Sequence, residues 1–278
     1  MPMKLMYITN QPEVAKIAEK AGVDRVFVDL EILGKLERQG HLDTVISRHS
    51  IADIAPIKDC IKNAELLVRS NPIYDGSREE INAIVANGAD IVMLPFFKTV
   101  EEPKKFIEYV GKRAKTCLLF ETPESVELAD DILALDGIDE VYIGLNDMHL
   151  GYKMHFMFQL LTNGTVDRLC TKFRQKAIPY GFGGIASLGQ GLLPSEHVIA
   201  EHYRLGSTRA ILSRSFCNTD KINDLHAINE YFLMGIKDIR EYETRLLGAD
   251  DTFFANNHKS VEQIVNKIVA DLSGEEKA

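Results

Sequence analysis

Apolar, strand-like runs alternate with helix-like patterns along almost the whole chain. The eight runs occupy residues 4–9, 25–30, 65–69, 90–95, 118–120, 141–146, 179–187 and 208–213. Strands that are apolar throughout and separated by helices are typical of a parallel sheet buried on both faces, and eight such units are the number that closes a barrel. At 278 residues the chain also has the length of a single α/β barrel. The sequence therefore predicts an α/β fold, a (β/α)8 TIM barrel.

The spacing of apolar residues and the helix-breaking glycines predict the helices between these runs. We expect helices over residues 12–21, 50–64, 78–87, 100–113 and 195–205, one helix between the fifth and sixth runs, a helical stretch over 156–177 interrupted at 163–164, and a long helix over 221–247.

The chain continues beyond the eighth unit, so we divide it into a barrel domain, residues 1–248, and a C-terminal helical extension, residues 249–278. A helix is predicted over 260–272. Its apolar residues Val261, Ile264, Val265 and Ile268 recur at helical spacing and need a partner surface. That surface is either the barrel wall or a neighbouring subunit, and we expect a homo-oligomer.

The composition argues against several classes of protein. The formal charge of −9 argues against a general nucleic-acid-binding or anionic-membrane surface. The four cysteines are scattered, with no CxxC pair, and neither a secretory leader nor an apolar segment of membrane-spanning length is visible. We therefore expect a reduced, cytoplasmic protein with no nucleic-acid or membrane partner.

Polar residues stand where several apolar runs end. Glu121 follows the fifth run and Asp147 the sixth, while Asp29, Glu31 and Arg69 end the second and third. Parallel strands bring such residues to one mouth of a barrel, where the acids would repel each other unless a cation compensated them. Carboxylates suit hard cations, so the pattern predicts an Mg²⁺ or Mn²⁺ site with an arginine beside it.

The chain resembles the HpcH/HpaI aldolase and citrate lyase β-subunit family. The segments that carry the resemblance are VFVDLE at 26–31, LLVRSNP at 66–72, GADIVMLPFFKTVEE at 88–102, LLFETPESVE at 118–127 and GIDEVYIGLNDMHLGY at 137–152. Members of that family are metal-dependent TIM barrels that make or break carbon–carbon bonds next to an enolate.

The resemblance implies a role for each residue at the mouth. Glu121 and Asp147 would ligate the divalent metal, and Asp29 and Glu31 would lie nearby and bind metal-ligated water. Arg69 would hold the carboxylate or enolate oxygen of a pyruvate-like group. A cation beside a developing enolate supplies electrostatic stabilisation, which fits this assignment on physical grounds.

The segment before Asp147 departs from the family pattern at one position. Gly144, Leu145 and Asn146 would line the substrate site through their backbone, but many relatives have proline where this chain has Leu145. We expect that difference to alter the backbone beside Asp147 without removing the ligand.

The general base is the second departure. Aldolases of the family place a histidine soon after the second strand, whereas this chain has Asp-Leu-Glu-Ile at 29–32. His41 and His49 lie later in the long loop over 32–50, and either is a candidate catalytic base if the loop returns over the mouth.

These observations predict a divalent-metal-dependent carbon–carbon lyase, of the class II aldolase type, that cleaves or forms a 2-oxo-4-hydroxy acid through a pyruvate enolate. Its small-molecule partners would be a keto-acid and an aldehyde. One alternative is a citrate-lyase-like or malyl-CoA-type lyase acting on an acyl-CoA. Another is a non-catalytic binding or regulatory barrel, which the missing histidine supports. The glycine-rich segment 181–191 is a minor candidate for binding phosphate.

Overall fold

Eight parallel strands close into a barrel in the computed structural model, which describes residues 2–34, 49–219, 221–222 and 224–275. The strands follow one another around the barrel in chain order, and β1 pairs with β8 to close it. Their bounds are β1 Lys4–Ile8, β2 Arg25–Asp29, β3 Glu65–Arg69, β4 Ile91–Leu94, β5 Lys115–Phe120, β6 Glu140–Ile143, β7 Tyr180–Ile185 and β8 Arg209–Leu212. The predicted TIM barrel is confirmed.

Helices surround this barrel. They are α1 Pro12–Ala21, α2 Ile54–Cys60, α3 Ser77–Ala86, α4 Glu101–Val110, α5 Pro123–Glu127, α6 Ala129–Ile132, α7 Leu145–Gly151, α8 Gln159–Thr162, α9 Thr165–Gln175, α10 Ser195–Leu205, α11 Leu225–Leu246 and α12 Asp251–Glu275. A 3₁₀ turn, Ile51–Asp53, precedes α2.

The core has two layers because alternate strand residues point inward and outward. Inward-facing side chains fill the barrel itself; they are Met6, Phe27, Leu67, Ile91, Met93, Cys117, Leu119 and Tyr142. Outward-facing residues of the same strands pack beneath the helices in a much larger cluster. The barrel interior is thus a packed core, and a ligand can enter only at an end.

A buried ion-pair network lies at the amino-terminal end of the barrel, built from residues that begin strands. Arg25 donates to both carboxylate oxygens of Glu140 at 2.6 Å each, and Arg209 donates to Glu140 at 2.8 Å. Glu65 accepts from Arg25 at 2.9 Å and from Lys115 at 2.6 Å. Charge pairing satisfies groups that would be costly to bury alone, so this end of the barrel serves packing.

The helices depart from the predictions between β5 and β6, after β6 and at the C-terminal end. The single helix expected between β5 and β6 is two short helices, α5 and α6, separated at Leu128, whose φ of −88° and ψ of 10° depart from helical values. Helix α7 was not predicted. The last helix begins at Asp251, nine residues earlier than expected, where the Asp250 carboxylate accepts a hydrogen bond from the Phe253 N–H (2.8 Å) in the manner of an N-cap.

Helix α12 packs on the chain itself, against α10 and α8. Val261 and Val265 are fully buried, and Asn257 donates to the buried carboxylate of Glu201 on α10 (3.1 Å). The barrel wall is therefore a partner surface for this helix, while the division into two domains stays a prediction. Among the described residues, no helix is long and apolar enough to cross a membrane.

Candidate active site

A cavity of about 660 Å³ opens at the carboxyl ends of the strands. Residues at the ends of several strands line it, and they include Thr9, Asn10, Asp29, Arg69, Glu121, Asp147, Gly183, Gly184 and Ser213. This is the end of the barrel where TIM-barrel enzymes bind substrates, and the volume suits a small ligand.

Asp29 and Arg69 form a two-point ion pair on one side of the cavity. The two residues are directly paired in the β2–β3 ladder. Arg69 donates from Nε and Nη2 to the two oxygens of Asp29, at 2.8 Å each, and its Nη1 lies 3.2 Å from Oε2 of Glu31. The adjacent strand ends therefore hold the guanidinium plane in one orientation.

The Arg69 side chain keeps its positive charge in this site. Burial lowers the pKa of Arg69, but the carboxylates of Asp29, Glu31 and Glu121 outweigh that effect and raise its pKa well above the ordinary value. The Arg69 side chain is 14% exposed, so it remains accessible from the cavity. Its fork on Asp29 uses two of the five guanidinium N–H groups, which leaves others to donate to a ligand.

Glu121 is held against the backbone at the end of β5. One carboxylate oxygen accepts a hydrogen bond from the Phe96 N–H (3.0 Å). The other lies so close to Gly144 that a Cβ added there would be 2.6 Å from it. Phe96 has a φ of 49°, an uncommon conformation for a large side chain, so backbone strain accompanies the placement of this acid.

Asp147 lies in the first turn of α7 rather than directly at the end of β6. Gly144 is the N-cap of this helix and Leu145 its first residue, the position where proline is favoured in helices. Leu145 is buried, and its side chain occupies the space that a Cβ on Gly183 would need, 2.7 Å away. Gly144, Leu145 and Asn146 line the cavity together with Asp147.

The donor set at the cavity fits a hard divalent cation. Glu121 and Asp147 are 3% and 6% exposed, and both line the cavity. Mg²⁺ and Mn²⁺ prefer carboxylate oxygens, and Mg²⁺ usually keeps several waters, so two carboxylates can suffice. Within the described part of the chain, no group of three or more His, Cys, Asp and Glu side chains could hold a metal, and Asp29 and Glu31 face Arg69.

His49 lies at the mouth, where its ring nitrogen bonds to the backbone of β2. The Asp29 N–H donates to Nδ1 at 3.0 Å, and His49 lines the cavity. Because a backbone N–H can only donate, Nδ1 must carry a lone pair, and a neutral His49 then carries its proton on Nε2. In this state His49 is a hydrogen-bond donor. His41 falls outside the described residues, and its candidacy stays a prediction.

Tyr142, which sequence analysis did not single out, anchors the irregular wall formed by β7. Its hydroxyl donates to Gly183 O at 2.6 Å and accepts from the Ile211 N–H at 2.9 Å. The β7–β8 register shifts between Gly181 and Gly184, and a Cβ on Gly181 would lie 2.4 Å from the Tyr142 ring and from Arg209 O. The glycine-rich run at 181–191 was the available signal.

The segment after β8 forms the neighbouring part of the cavity wall, between β7 and β1, and sequence analysis also missed it. Ser213, Arg214, Cys217, Asn218 and Thr219 line the cavity there. Only the polar composition of this segment could have drawn attention to it.

A comparison with family models identifies one family. The family model for HpcH/HpaI aldolase/citrate lyase matches residues 4–161, more than half of the chain. A comparison with curated proteins found no significant match.

Solved structures with the same fold include an HpcH/HpaI aldolase from Desulfitobacterium hafniense DCB-2. It is 17% identical, with a TM-score of 0.61, and the match covers 86% of this chain and 93% of that one. Citrate synthase SbnG matches at 14% identity with a TM-score of 0.57, over 76% of this chain and 86% of that one, and a variant of SbnG matches similarly. The matched residues 4–161 contain the five residues predicted at the mouth, which are Asp29, Glu31, Arg69, Glu121 and Asp147. The chain belongs to the HpcH/HpaI aldolase/citrate lyase family.

Proposed function

We propose that the protein is a divalent-metal-dependent carbon–carbon lyase that cleaves or forms a 2-oxo-4-hydroxy acid through a pyruvate enolate. The observation that carries the proposal is the presence of Glu121, Asp147 and Arg69 on the wall of one cavity. Two buried carboxylates and a permanently charged guanidinium suit a small anionic substrate and a hard cation at the same time.

Arg69 binds and orients the keto-acid. Asp29 fixes the guanidinium from the side, so its free N–H groups have a preset direction toward the cavity. Donors that are fixed before the substrate binds need no rearrangement as negative charge develops on the enolate oxygen. The pairing with Asp29 therefore makes Arg69 a better catalyst than a solvated arginine would be.

Glu121 and Asp147 would hold the cation. When bound, a divalent cation would supply positive charge to offset the negative charge that develops on the substrate. Glu121 is locked by the Phe96 N–H and by the backbone of Gly144. Asp147 is presented by the first turn of α7.

His49 does not act as a base at Nδ1 while that nitrogen accepts the Asp29 N–H. With Nδ1 accepting from the Asp29 N–H, a neutral His49 carries its proton on Nε2. To accept a proton, the ring must first release the Asp29 N–H. Base catalysis at Nδ1 of His49 therefore requires that this hydrogen bond breaks.

Pyruvate release from a panel of 2-oxo-4-hydroxy acids, measured with and without Mg²⁺ or Mn²⁺, tests the proposal. We expect release that depends on the cation and falls at least about 100-fold in Glu121→Gln, because the substitution removes charge without changing size. Glu127→Gln, at an exposed position nearby, is the matched control and should leave turnover unchanged. Metal-independent release that persists in Glu121→Gln would contradict the proposal.

The alternatives predict different outcomes with the same preparations. A citrate-lyase-like or malyl-CoA-type enzyme would cleave acyl-CoA thioesters and leave the free hydroxy-keto acids intact. A non-catalytic barrel would turn over neither class, and its thermal stability would not respond to Mn²⁺ together with oxalate, a mimic of the pyruvate enolate.

A further inference from the structure

We propose that Asn71 is a positioning residue of the keto-acid site, because it fixes the chain that follows β2 and thereby keeps Glu31 against Arg69. Asn71 lies outside the cavity wall, so it can act on a substrate only through other residues. The proposal rests on the proposed function, since Arg69 is the group through which Asn71 would affect the keto-acid.

Asn71 ties the chain after β2 to the end of β3. The pairing of the two strands ends at Asp29 and Arg69, and Asn71 follows two residues later. Its Oδ1 atom accepts hydrogen bonds from the N–H groups of Ile32 at 2.9 Å and of Leu33 at 3.0 Å. The carboxamide thus continues the connection between the two strands beyond their last paired residues.

Glu80 on α3 fixes the orientation of this carboxamide. One oxygen of its carboxylate, Oε1, accepts from the Asn71 backbone N–H at 2.9 Å and from Nδ2 at 3.1 Å. A carboxylate oxygen only accepts, so the amide nitrogen of Asn71 must face Glu80 and the amide oxygen must face the two backbone N–H groups. Glu80 is buried, and hydrogen bonds to a carboxylate are stronger than those between neutral groups. Asn71 is therefore held with its acceptor directed at the segment after β2.

The segment that Asn71 holds is continuous with the third contact to Arg69. Glu31 directly precedes that segment, and its buried Oε2 lies 3.2 Å from Nη1 of Arg69, beside the fork on Asp29. The Glu31 N–H donates to Oδ1 of Asp29 at 3.2 Å. A shift of the chain at residue 32 would therefore move Glu31, and with it the guanidinium that Glu31 and Asp29 hold in place.

The exposure of the two bonds from Asn71 indicates a role in positioning more than in overall stability. Ile32 and Leu33 are exposed, so their N–H groups can bond to water when Asn71 is removed, and the free energy of unfolding should change little. The direction of the Arg69 donors is more sensitive, because a misplacement of about 1 Å can reduce catalysis about 100-fold. The two predicted metal ligands come from other segments, after β5 and β6, and should keep their affinity for a cation.

The test compares Asn71→Ala with Asn87→Ala by binding as well as by turnover. Asn87 is the matched control, since it is half-buried like Asn71 and its Nδ2 also bonds within the protein, to the Ala83 carbonyl at 2.8 Å. Titration calorimetry with oxalate in the presence of Mn²⁺ measures anion binding, and exchange of the pyruvate methyl protons with D₂O gives the KM for pyruvate. We expect Asn71→Ala to weaken oxalate binding and raise this KM by about 10-fold or more, while Mn²⁺ affinity stays within about twofold. Asn87→Ala should change none of these quantities.

A double substitution shows whether Asn71 acts through Glu31. In a Glu31→Gln background the contact to Arg69 is already weakened, so Asn71→Ala should reduce oxalate affinity by a clearly smaller factor than in the wild-type background. Equal factors in the two backgrounds would show that Asn71 does not act through Glu31, and would overturn the proposal.

Hydrogen exchange reports the contact itself and requires no metal. The N–H groups of Ile32 and Leu33 should exchange faster in Asn71→Ala than in wild type, and at the wild-type rate in Asn87→Ala. Glu80→Gln, which keeps the size of the side chain but removes its charge, is a milder second variant. Because it holds the Asn71 carboxamide less firmly, we expect it to reduce oxalate affinity about 2- to 5-fold.

Three further results would overturn the proposal while leaving the proposed function intact. They are wild-type oxalate affinity and pyruvate KM in Asn71→Ala, an equal loss in Asn71→Ala and Asn87→Ala, and a fall in Mn²⁺ affinity as large as the fall in oxalate affinity. If Asn71→Ala does not fold, Glu80→Gln decides, and unchanged oxalate affinity in that variant overturns the proposal. If the wild-type protein neither binds oxalate with Mn²⁺ nor exchanges pyruvate protons, the proposed function itself fails, and this proposal fails with it.

Discussion

Glycine at position 144 is what allows Glu121 to reach the cavity in its present position. The carboxylate of Glu121 lies against the Gly144 Cα, where any larger residue would place a Cβ 2.6 Å from Oε2 and 2.8 Å from the Glu121 Cβ. The φ of Gly144 is −86°, which every residue type can adopt, so close approach and not backbone conformation requires the glycine.

Gly144→Ala should therefore impair both metal binding and folding. The added methyl must push the Glu121 carboxylate aside, and we expect Mn²⁺ affinity to fall at least about 10-fold, with about 1–3 kcal/mol of lost stability from overpacking. Calorimetric titration with Mn²⁺ and urea unfolding measure the two effects. Gly248→Ala, where the nearest atom to a new Cβ is 3.7 Å away, is the control. Unchanged Mn²⁺ affinity in Gly144→Ala would argue against Glu121 as a ligand.

At the scale of elements, Tyr142 links the irregular strand β7 to its neighbours β6 and β8. The register shift near Gly183 interrupts the regular pairing of β7 with β8. The Tyr142 hydroxyl donates to Gly183 O on β7 and accepts from the Ile211 N–H on β8. A buried hydroxyl that bonds two strands keeps the Gly183–Gly184 wall of the cavity in place.

Tyr142→Phe should destabilise the protein by about 1–3 kcal/mol, because the buried Ile211 N–H and Gly183 carbonyl lose a partner while the ring volume stays the same. Urea unfolding measures this loss. The KM for pyruvate should rise as well, since the wall can relax. Tyr242→Phe is a control at a half-buried tyrosine for which no hydroxyl hydrogen bond is found among the described residues. Equal effects of the two substitutions would rule out this role for Tyr142.

The elements that sequence analysis found and those that it missed differ in what stabilises them. Runs such as 65–69 and 195–205 carry their own periodicity and stop signals, and the structure has the same bounds. Helix α7 has only seven residues, too few for a helical period to be recognised, and it is held by the burial of Leu145 and Met148.

The candidate site was predictable to the same degree. Strand-end residues Asp29, Arg69 and Glu121 had to meet once the barrel was recognised, because strand order and direction fix where they emerge. Arg214 was not predictable, since an arginine in a polar loop resembles any surface residue until the fold places it beside a cavity. The Nδ1 bond that fixes the His49 tautomer likewise exists only in three dimensions.

In the molecule as a whole, the two ends of the barrel have different roles: one end stabilises the fold, and the other holds the candidate site. The amino-terminal end is closed by ion pairs among strand-starting residues, and the carboxyl end holds the cavity. Burial alone would raise the pKa of Glu65, but the Lys115 hydrogen bond and the charge of Arg25 outweigh burial and lower it to about 2. Burial also acts to raise the pKa of Glu140, but hydrogen bonds from Arg25 and Arg209 outweigh burial and lower it.

This network should make the fold sensitive to acid. A carboxylate whose pKa is lower in the folded state contributes stability above its unfolded pKa of about 4.3, and the contribution is lost as pH falls towards the folded pKa. For Glu65, whose side chain is 24% exposed and partly screened, we expect a contribution of about 1–2 kcal/mol. Urea unfolding between pH 7 and pH 3 should show a flatter pH dependence for Glu65→Gln than for wild type.

Glu108→Gln, which removes one partner of an exposed ion pair with Arg78, is the comparison and should follow the wild-type pH profile. A Glu65→Gln profile parallel to that of the wild type would show that Glu65 does not stabilise the barrel end. The expected homo-oligomer stays a prediction, and sedimentation at several protein concentrations can check it.

Exchange of the pyruvate methyl protons with D₂O, followed by proton NMR, shows whether the protein forms the pyruvate enolate. It needs no knowledge of the aldehyde. We expect exchange that requires Mg²⁺ or Mn²⁺, falls at least about 100-fold in Glu121→Gln and in Arg69→Gln, and is unchanged in Glu127→Gln. Absence of exchange in the wild-type protein with either cation, or full exchange in Glu121→Gln, would contradict the metal-dependent formation of a pyruvate enolate.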